Sequence, residues 1–437
     1  MKKWSRILIG LGCLTLLAVS WLIAINAKSA EAKQFELMEK AAELMSDGIY
    51  IRAVPLLEEA IGYKTAHTLD AEEALKTAYI ALLDTRGFSL KYADLLSLQM
   101  NRTDAVPGVF AEAAMYYLEL AKIPVALEIL RTGIEKTGDE ALVALYEQNR
   151  YAFQMNHGAY DYVTAIYHST IQVQKDGLWG LAASDGRLIL PCIYDRISTF
   201  DIDRAIVMKD DEVYAVNIDN NRIAKLKADA FTFGNYANDR IPFLIDDRWY
   251  RATGEFALGT VSFEEIGMYS GGYAAAKIDG KWGVVNTAYD WLLPAEFDGI
   301  ISDELGRCHI RGAVFALTNG GVYLYVNGQA VGGPYEDARP FADIGYAAVK
   351  NGGKWGFIDI DGTVMIDYSF DDALSFVQHL AAVRQGELWG YINANGAIAI
   401  EPQFLEAKSF TDGDAPILTE GGWRFITLHE YKKGVSL

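Results

Sequence analysis

The 437 residues are 51% hydrophobic and 22% charged, the proportions of a chain that folds, and their number allows two or three domains. A net charge of −19 excludes nucleic acid as the main partner and disfavours adhesion to anionic lipid, since both need a basic surface; its plainest consequence is solubility by self-repulsion. The cysteines Cys13, Cys192 and Cys308 are too few for a disulfide framework; the last two are read as buried free thiols, although an oxidising compartment would let them pair.

In chain order, Lys2, Lys3 and Arg6 precede an uncharged apolar run from Ile7 to Ile25. Such a run, at about 1.5 Å per residue, matches the roughly 30 Å core of a bilayer. Residues 1–30 are therefore expected to be a transmembrane anchor or uncleaved signal, in preference to a secretory signal cleaved near Ala27-Lys28-Ser29 or Ala30-Glu31-Ala32. The positive flank places the N-terminus in the cytoplasm and the bulk of a single-pass cell-membrane protein outside it; cleavage would make the protein secreted.

Residues 31–157 carry apolar side chains at helical spacing. Phe35–Met45 reads as one helix, stopped by Asp47-Gly48, and Arg52–Ile61 as another, with Pro55 in its first turn. Similar stretches follow at 71–83, Lys91–Met100, 108–120 and Val125–Ile134, and a last helix is expected from Asp139 to Phe153. Ala53, Ala93 and Ala126 recur at 40 and 33 residues, where small side chains let helices approach closely. Helix pairs at this period mark an α-solenoid. The stretch resembles tetratricopeptide repeats, in about three degenerate copies, although the Trp and Leu-Gly of that family's first helix are missing. It serves either as a groove for a partner's peptide or as a spacer.

From about residue 168 to 437 the pattern changes to short strands. Four pairs, Trp179-Gly180, Trp282-Gly283, Trp355-Gly356 and Trp389-Gly390, each open an apolar strand. Asp185-Gly186, Asp361-Gly362 and Asn395-Gly396 then supply hairpin turns. Each unit closes on an aromatic-acidic segment such as Tyr194-Asp195 or Phe370-Asp371. With Tyr214, Trp249, Phe315 and Trp423 filling the Trp position in weaker copies, the marks are spaced 35, 35, 33, 33, 40, 34 and 34 residues apart. The eighth unit stops after its second strand.

The strings Gly177-Leu-Trp-Gly180, Gly280-Lys-Trp-Gly283, Gly353-Lys-Trp-Gly356 and Gly386-Glu-Leu-Trp-Gly390 resemble the WG (KWG) repeat family of bacterial proteins. That resemblance implies a repeated antiparallel β unit, often in surface or envelope proteins, with no general enzymatic activity. One such meander cannot bury its inner face alone, so Trp179, Trp249, Trp282, Trp355, Trp389 and Trp423 are read as structural core. Gly180, Gly283, Gly356 and Gly390 are read as points where a neighbouring strand approaches closely. The expected fold class is α+β multi-domain: a transmembrane helix, an α-solenoid, and an all-β array of seven to eight units. Closure into a β-propeller is favoured over an open β-solenoid because it protects strand edges.

No catalytic, metal or cofactor site is expected. His67, His157, His168, His309, His379 and His429 show no zinc-ligand spacing, and no phosphate loop or nucleophile turn is present. Carboxylate pairs such as Glu336-Asp337 and Asp371-Asp372 recur between repeats, which points to turn capping, whereas a glycosidase-type site needs one asymmetric pair. Asp359-Ile-Asp361-Gly362 lacks the later ligands of a calcium loop and reads as a hairpin. The expected function is non-enzymatic extracytoplasmic binding or scaffolding with a protein partner; the alternative is a lectin-like protein taking cell-wall polysaccharide.

Overall fold

The computed structural model describes residues 26, 28–156, 158–226, 232–342 and 345–431. The chain divides into two compact units, Met1–Tyr146 and Glu147–Leu437.

Helices occupy residues 28–46 (α1), Tyr50–Ile61 (α2), Thr68–Ile80 (α3), Phe88–Met100 (α4), Pro107–Glu119 (α5), Ile123–Thr137 (α6) and Glu140–Asn149 (α7). From α2 to α6 each packs on the next. Leu57, Leu96, Phe110 and Leu130 form their core, with Ala53 and Ala126 fully buried and Ala93 partly so. Polar ties repeat between helices: Glu58 accepts from Tyr79 Oη and Lys91 Nζ, both at 2.7 Å. Glu112 accepts from Tyr92 Oη and Lys76 Nζ, both at 2.8 Å. Pro55 sits a turn deeper than expected, inside α2, so that helix gives up one backbone hydrogen bond.

Among the described residues no helix is long and apolar enough to cross a membrane. This corrects the expectation of a transmembrane helix, and with it the single-pass, cell-membrane location. The run Ile7–Ile25 lies outside the described residues, as does Cys13.

The second unit is an eight-bladed β-propeller of four-stranded antiparallel sheets. Blade 1 comprises Tyr162–Val163, Thr170–Lys175, Leu178–Ala183 and Leu188–Tyr194; blades 2 to 7 repeat this order. Alternate residues of a strand point to opposite faces, so each sheet feeds two cores. In blade 2, Ala205 and Val207 pack toward blade 1, whereas Ile206 packs toward blade 3. Eight apolar clusters result, one in each gap between neighbouring blades, including the gap between blades 8 and 1, where Trp423 and Phe425 meet Val163, Ile171 and Ala182.

The eighth blade takes Glu406–Ala407, Asp414–Thr419 and Gly422–Leu428 from the C-terminal end of the chain. Its outer strand is Phe153–Met155, paired antiparallel with Gly422–Leu428 through Phe153↔Leu428 and Gln154↔Thr427. Phe153, expected to end a helix, thus completes the blade whose fourth strand the repeat lacks. Asn156 Nδ2 donates to Thr427 Oγ1 at 2.8 Å and to the Asp185 carbonyl at 3.1 Å. Buried Asp414 accepts from Ser184 Oγ of blade 1 at 2.6 Å and from Thr427 Oγ1 at 2.5 Å. Ring closure therefore has both an apolar and a polar component.

Candidate functional site

All six tryptophans of the repeat marks occupy the second position of a third strand. Each pairs with an aromatic residue on its outer side: Trp179↔Tyr194, Trp249↔Phe263, Trp282↔Phe297, Trp355↔Phe370, Trp389↔Phe404 and Trp423↔Tyr160. Trp355, Trp389 and Trp423 are buried; Trp179, Trp249 and Trp282 are half-buried. Just past each Trp-Gly pair the register shifts, because the fourth strand bulges toward the glycine. A Cβ on Gly180, Gly283, Gly356 or Gly390 would lie 2.7, 2.5, 2.8 or 2.5 Å from the carbonyl oxygen of Leu190, Leu293, Ile366 or Ile400. The four glycines thus meet the same obstacle.

The recurring acidic residues have local work. Glu336 and Asp371 accept N–H bonds from the hairpin residues Gly353 and Gly386 at 3.0 and 2.8 Å. Lys281 and Lys354, one residue before Trp, reach Asp298 and Asp371 at 2.6 and 2.5 Å. The Lys354 ammonium and the Gly386 N–H hold the Asp371 carboxyl below its usual range. Asp359 accepts N–H bonds from Asp361 and Thr363 at 3.0 and 2.9 Å, which makes that stretch a hairpin turn.

Two marks were misaligned in the sequence. Strand pairing puts Val213 and Val322, not Tyr214 and Phe315, where Trp stands elsewhere: Met208 pairs with Arg196 and Val213, and Leu317 with Gly299 and Val322. Phe315 belongs to the second strand of blade 5. With that correction the spacing of 40 falls between Trp282 and Val322, and the extra residues lie inside blade 5. The aromatic-acidic segment also moves, because the dipeptide after it is the first, innermost strand of the next blade.

The connection after the inner strand spans residues 301–312 in blade 5, against six to eight residues in the other blades. It turns at Asp303, whose Oδ1 accepts the N–H groups of Leu305 and Arg307 at 3.0 and 2.9 Å and whose Oδ2 pairs with Arg307 at 2.6 Å. The loop then crosses the ring axis. Leu305 is buried against Tyr167 of blade 1, Ala237 of blade 3 and Met268 of blade 4. Asn235 Nδ2 donates to the Leu305 carbonyl at 3.0 Å, and the Met268 N–H to the Gly306 carbonyl at 3.1 Å. Glu304 reaches Lys408 of blade 8 at 2.7 Å.

What remains along the axis is a cavity of ≈ 1170 Å³, bounded by the blade-5 loop, by the connections after the inner strands of blades 1, 6, 7 and 8, and by Asn238 of blade 3 and Ser270 and Gly271 of blade 4. Its wall carries Arg339, Asp372, Arg384, Glu406 and Lys408, and of the six marker tryptophans only Trp389 lines it. The charges are held in place. Arg339 lies 3.4 Å from Asp372 and 4.6 Å from the centre of the Trp355 ring. Arg384 donates to the carbonyls of Gly386 and Asp371 at 2.9 and 3.3 Å. Burial works against the Lys408 ammonium, but Glu304 and Glu406 outweigh it and hold its pKa above the ordinary lysine value. His309, also in the wall, is buried; its Nε2 accepts the Gly312 N–H at 2.9 Å, and burial pushes its pKa down, offset in part by the Ser270 backbone.

The model of the WG containing repeat matches residues 179–212, 262–282, 335–355, 355–389 and 389–423. The C-terminal region carries WG-type repeats. The gaps in the match fall where Val213, Trp249 and Val322 lack a following glycine. No curated protein matches the chain. Among solved structures, Hsv2p of Kluyveromyces lactis is similar at TM-score 0.36 and 11% identity, over 61% of this chain and 96% of its own. YCF48 from Cyanidioschyzon merolae gives 0.33 and 12%, over 63% and 98%. The Pan2 WD40 domain of Neurospora crassa gives 0.32 and 9%, over 62% and 88%. The propeller rests on its own strand pairing.

Of the residues lining the cavity, His168, His309, Asp372 and Trp389 stand out in the sequence for other reasons, whereas Glu304, Arg339 and Lys408 do not, although the WG repeats hold a signal for the two cations. The position just after the inner strand reads Thr164, Ser198, Gly234, Gly267, Ile301, Arg339, Leu374 and Lys408. Two cations in a column of small or apolar residues depart from what repetition requires. The histidines are dispersed: His168 pairs with Asp201 at 3.1 Å and stacks on Tyr167, His157 lies outside the described residues, and among the described residues no cluster suits a metal. Cys192 and Cys308 are both free and stand in different blades.

Proposed function

We propose that this chain is a non-enzymatic binding and scaffolding protein whose propeller takes a segment of a protein partner into the axial cavity. The observation that carries this reading is the cavity itself, of ≈ 1170 Å³. It exceeds the roughly 300–1,000 Å³ common for small-molecule sites, and suits several peptide residues. Its carboxylates are already engaged: Asp303 with Arg307 and two N–H groups, Glu304 and Glu406 with Lys408, Asp372 with Arg339 and the Ala373 N–H, and Asp412 with Ser169 and Gln378. Such groups orient a partner but are poorly placed to exchange protons with a substrate. A lectin-type reading would need an indole displayed in each repeat, whereas Trp355, Trp389 and Trp423 are buried. The helical repeats provide a second module for contact or spacing.

Photo-crosslinking residues placed one at a time in the full chain test the site. Positions 374 and 411 line the cavity, whereas 188 and 258 are exposed on outer strands. Adducts with a protein partner are expected from the first pair and not from the second. Adducts from the outer positions alone would overturn the assignment.

A further inference from the structure

Glu304 stands out in the axial cavity because the repeat does not require it. It rides on the blade-5 loop, longer than its counterparts in the other blades, yet it reaches two blades on the far side of the ring. Its Oε2 lies 2.7 Å from Lys408 Nζ of blade 8 and 3.5 Å from Tyr162 Oη of blade 1. We propose that Lys408 of the cavity wall and the neighbouring Tyr162 form a carboxylate-binding subsite, with Glu304 as its internal occupant, displaced when a partner's carboxylate enters. This rests on the cavity being the binding site.

Lys408 is 9% exposed and carries its charge over the rings of Trp423 and Tyr162, at 5.2 and 5.8 Å. Apart from Glu304 its carboxylate partner is Glu406, at the longer distance of 3.5 Å. A buried cation deprived of its close partner is costly, so another carboxylate gains from taking the place. Glu304 itself fits imperfectly, since its contact with Tyr162 lies at the outer limit of a hydrogen bond. A carboxylate free of the loop is able to engage both donors at ordinary length. The exchange needs only side-chain rotation. Asp303 and Leu305 pin the backbone on either side, while the Glu304 side chain keeps 28% of its exposure on the cavity wall.

The test uses the full chain with Glu304→Ala, which vacates room for acetate. In sodium acetate, against sodium chloride at equal ionic strength and against acetamide, the melting temperature of this variant should rise saturably by a few degrees, as ligand linkage requires. Wild type, its site occupied, should show no acetate-specific rise. Glu304→Gln, which keeps an acceptor for Lys408, should show the same response with smaller amplitude and serves if Glu304→Ala does not fold. Acetylated Gly-Glu-amide and acetylated Gly-Gly with a free C-terminus then distinguish side-chain from terminal carboxylates by the larger shift. Indifference of both variants to acetate, or an equal rise in wild type, would overturn the subsite. Failure of cavity crosslinking with acetate rescue intact would instead sink the partner reading alone.

Discussion

Substituting Gly390 by Ala tests the reason the repeat pairs Trp with Gly. An ideal Cβ there would stand 2.5 Å from the Ile400 carbonyl oxygen, 2.7 Å from Pro402 N and 2.9 Å from Glu401 C. All three are main-chain atoms of the bulged fourth strand, so no side chain can swing aside. Ordinary contact needs about 3.4 Å or more, and the strands must separate by most of an ångström around a fully packed blade interface. Overpacking of this kind costs about 3 kcal/mol. For a domain of this size that is about 2–3 °C per kcal/mol, or roughly 6–9 °C in melting temperature. Gly108 in α5 is the control: nothing lies within 4 Å of its Cβ position, and Ala there should stabilise by roughly 0.5–1 kcal/mol. Thermal unfolding of the full chain, followed by tryptophan fluorescence and by far-UV circular dichroism, separates the two. Gly390→Ala melting within a degree of wild type would refute the close-approach reasoning.

Trp355→Ala should cost about 3–5 kcal/mol by urea denaturation, since its ring is buried beside Phe357 and Phe370; an unchanged midpoint would count against the core role. Cys308 is buried, with its thiol pushed up to about 12 by desolvation, so it should resist a thiol reagent in the native state and react once unfolded. Burial lowers the His309 pKa, so its neutral form is favoured in the folded state, and its contribution to stability should be present above the unfolded value of about 6.5 and lost as pH falls below it. His309→Gln should flatten that part of a melting-temperature profile between pH 5 and 7.5; an identical slope would dissociate His309 from it.

The repeating architecture was legible because one strand position demands the same pair of side chains in blade after blade. Trp supplies apolar area to the gap with the next blade and Gly yields to a carbonyl of its own blade, and both requirements recur around the ring. Legibility fell where that pair was missing. In blades 2 and 5 the most visible aromatic, Tyr214 or Phe315, drew the alignment away from Val213 and Val322, and the blade-5 insertion was hidden by the error. The closing strand Phe153–Met155 was missed because three residues beside a helical stretch carry too little periodicity, and their strand state depends on pairing more than 270 positions away in the chain. The cavity was harder still. Its charges meet only when the ring shuts, so Glu304 and Lys408 are neighbours by closure and not by sequence pattern.

Everything proposed for the axial cavity depends on the ring being shut by Phe153–Met155. Gln154 and Thr427 face each other in that pairing and belong to opposite ends of the propeller sequence. Cysteines at these two positions in the full chain, oxidised while native and analysed by mass spectrometry of the proteolysed protein, report the closure directly. The closed ring predicts one disulfide joining 154 to 427 in nearly every molecule. Free thiols at both 154 and 427 after oxidation, or bonds only between molecules, would contradict it.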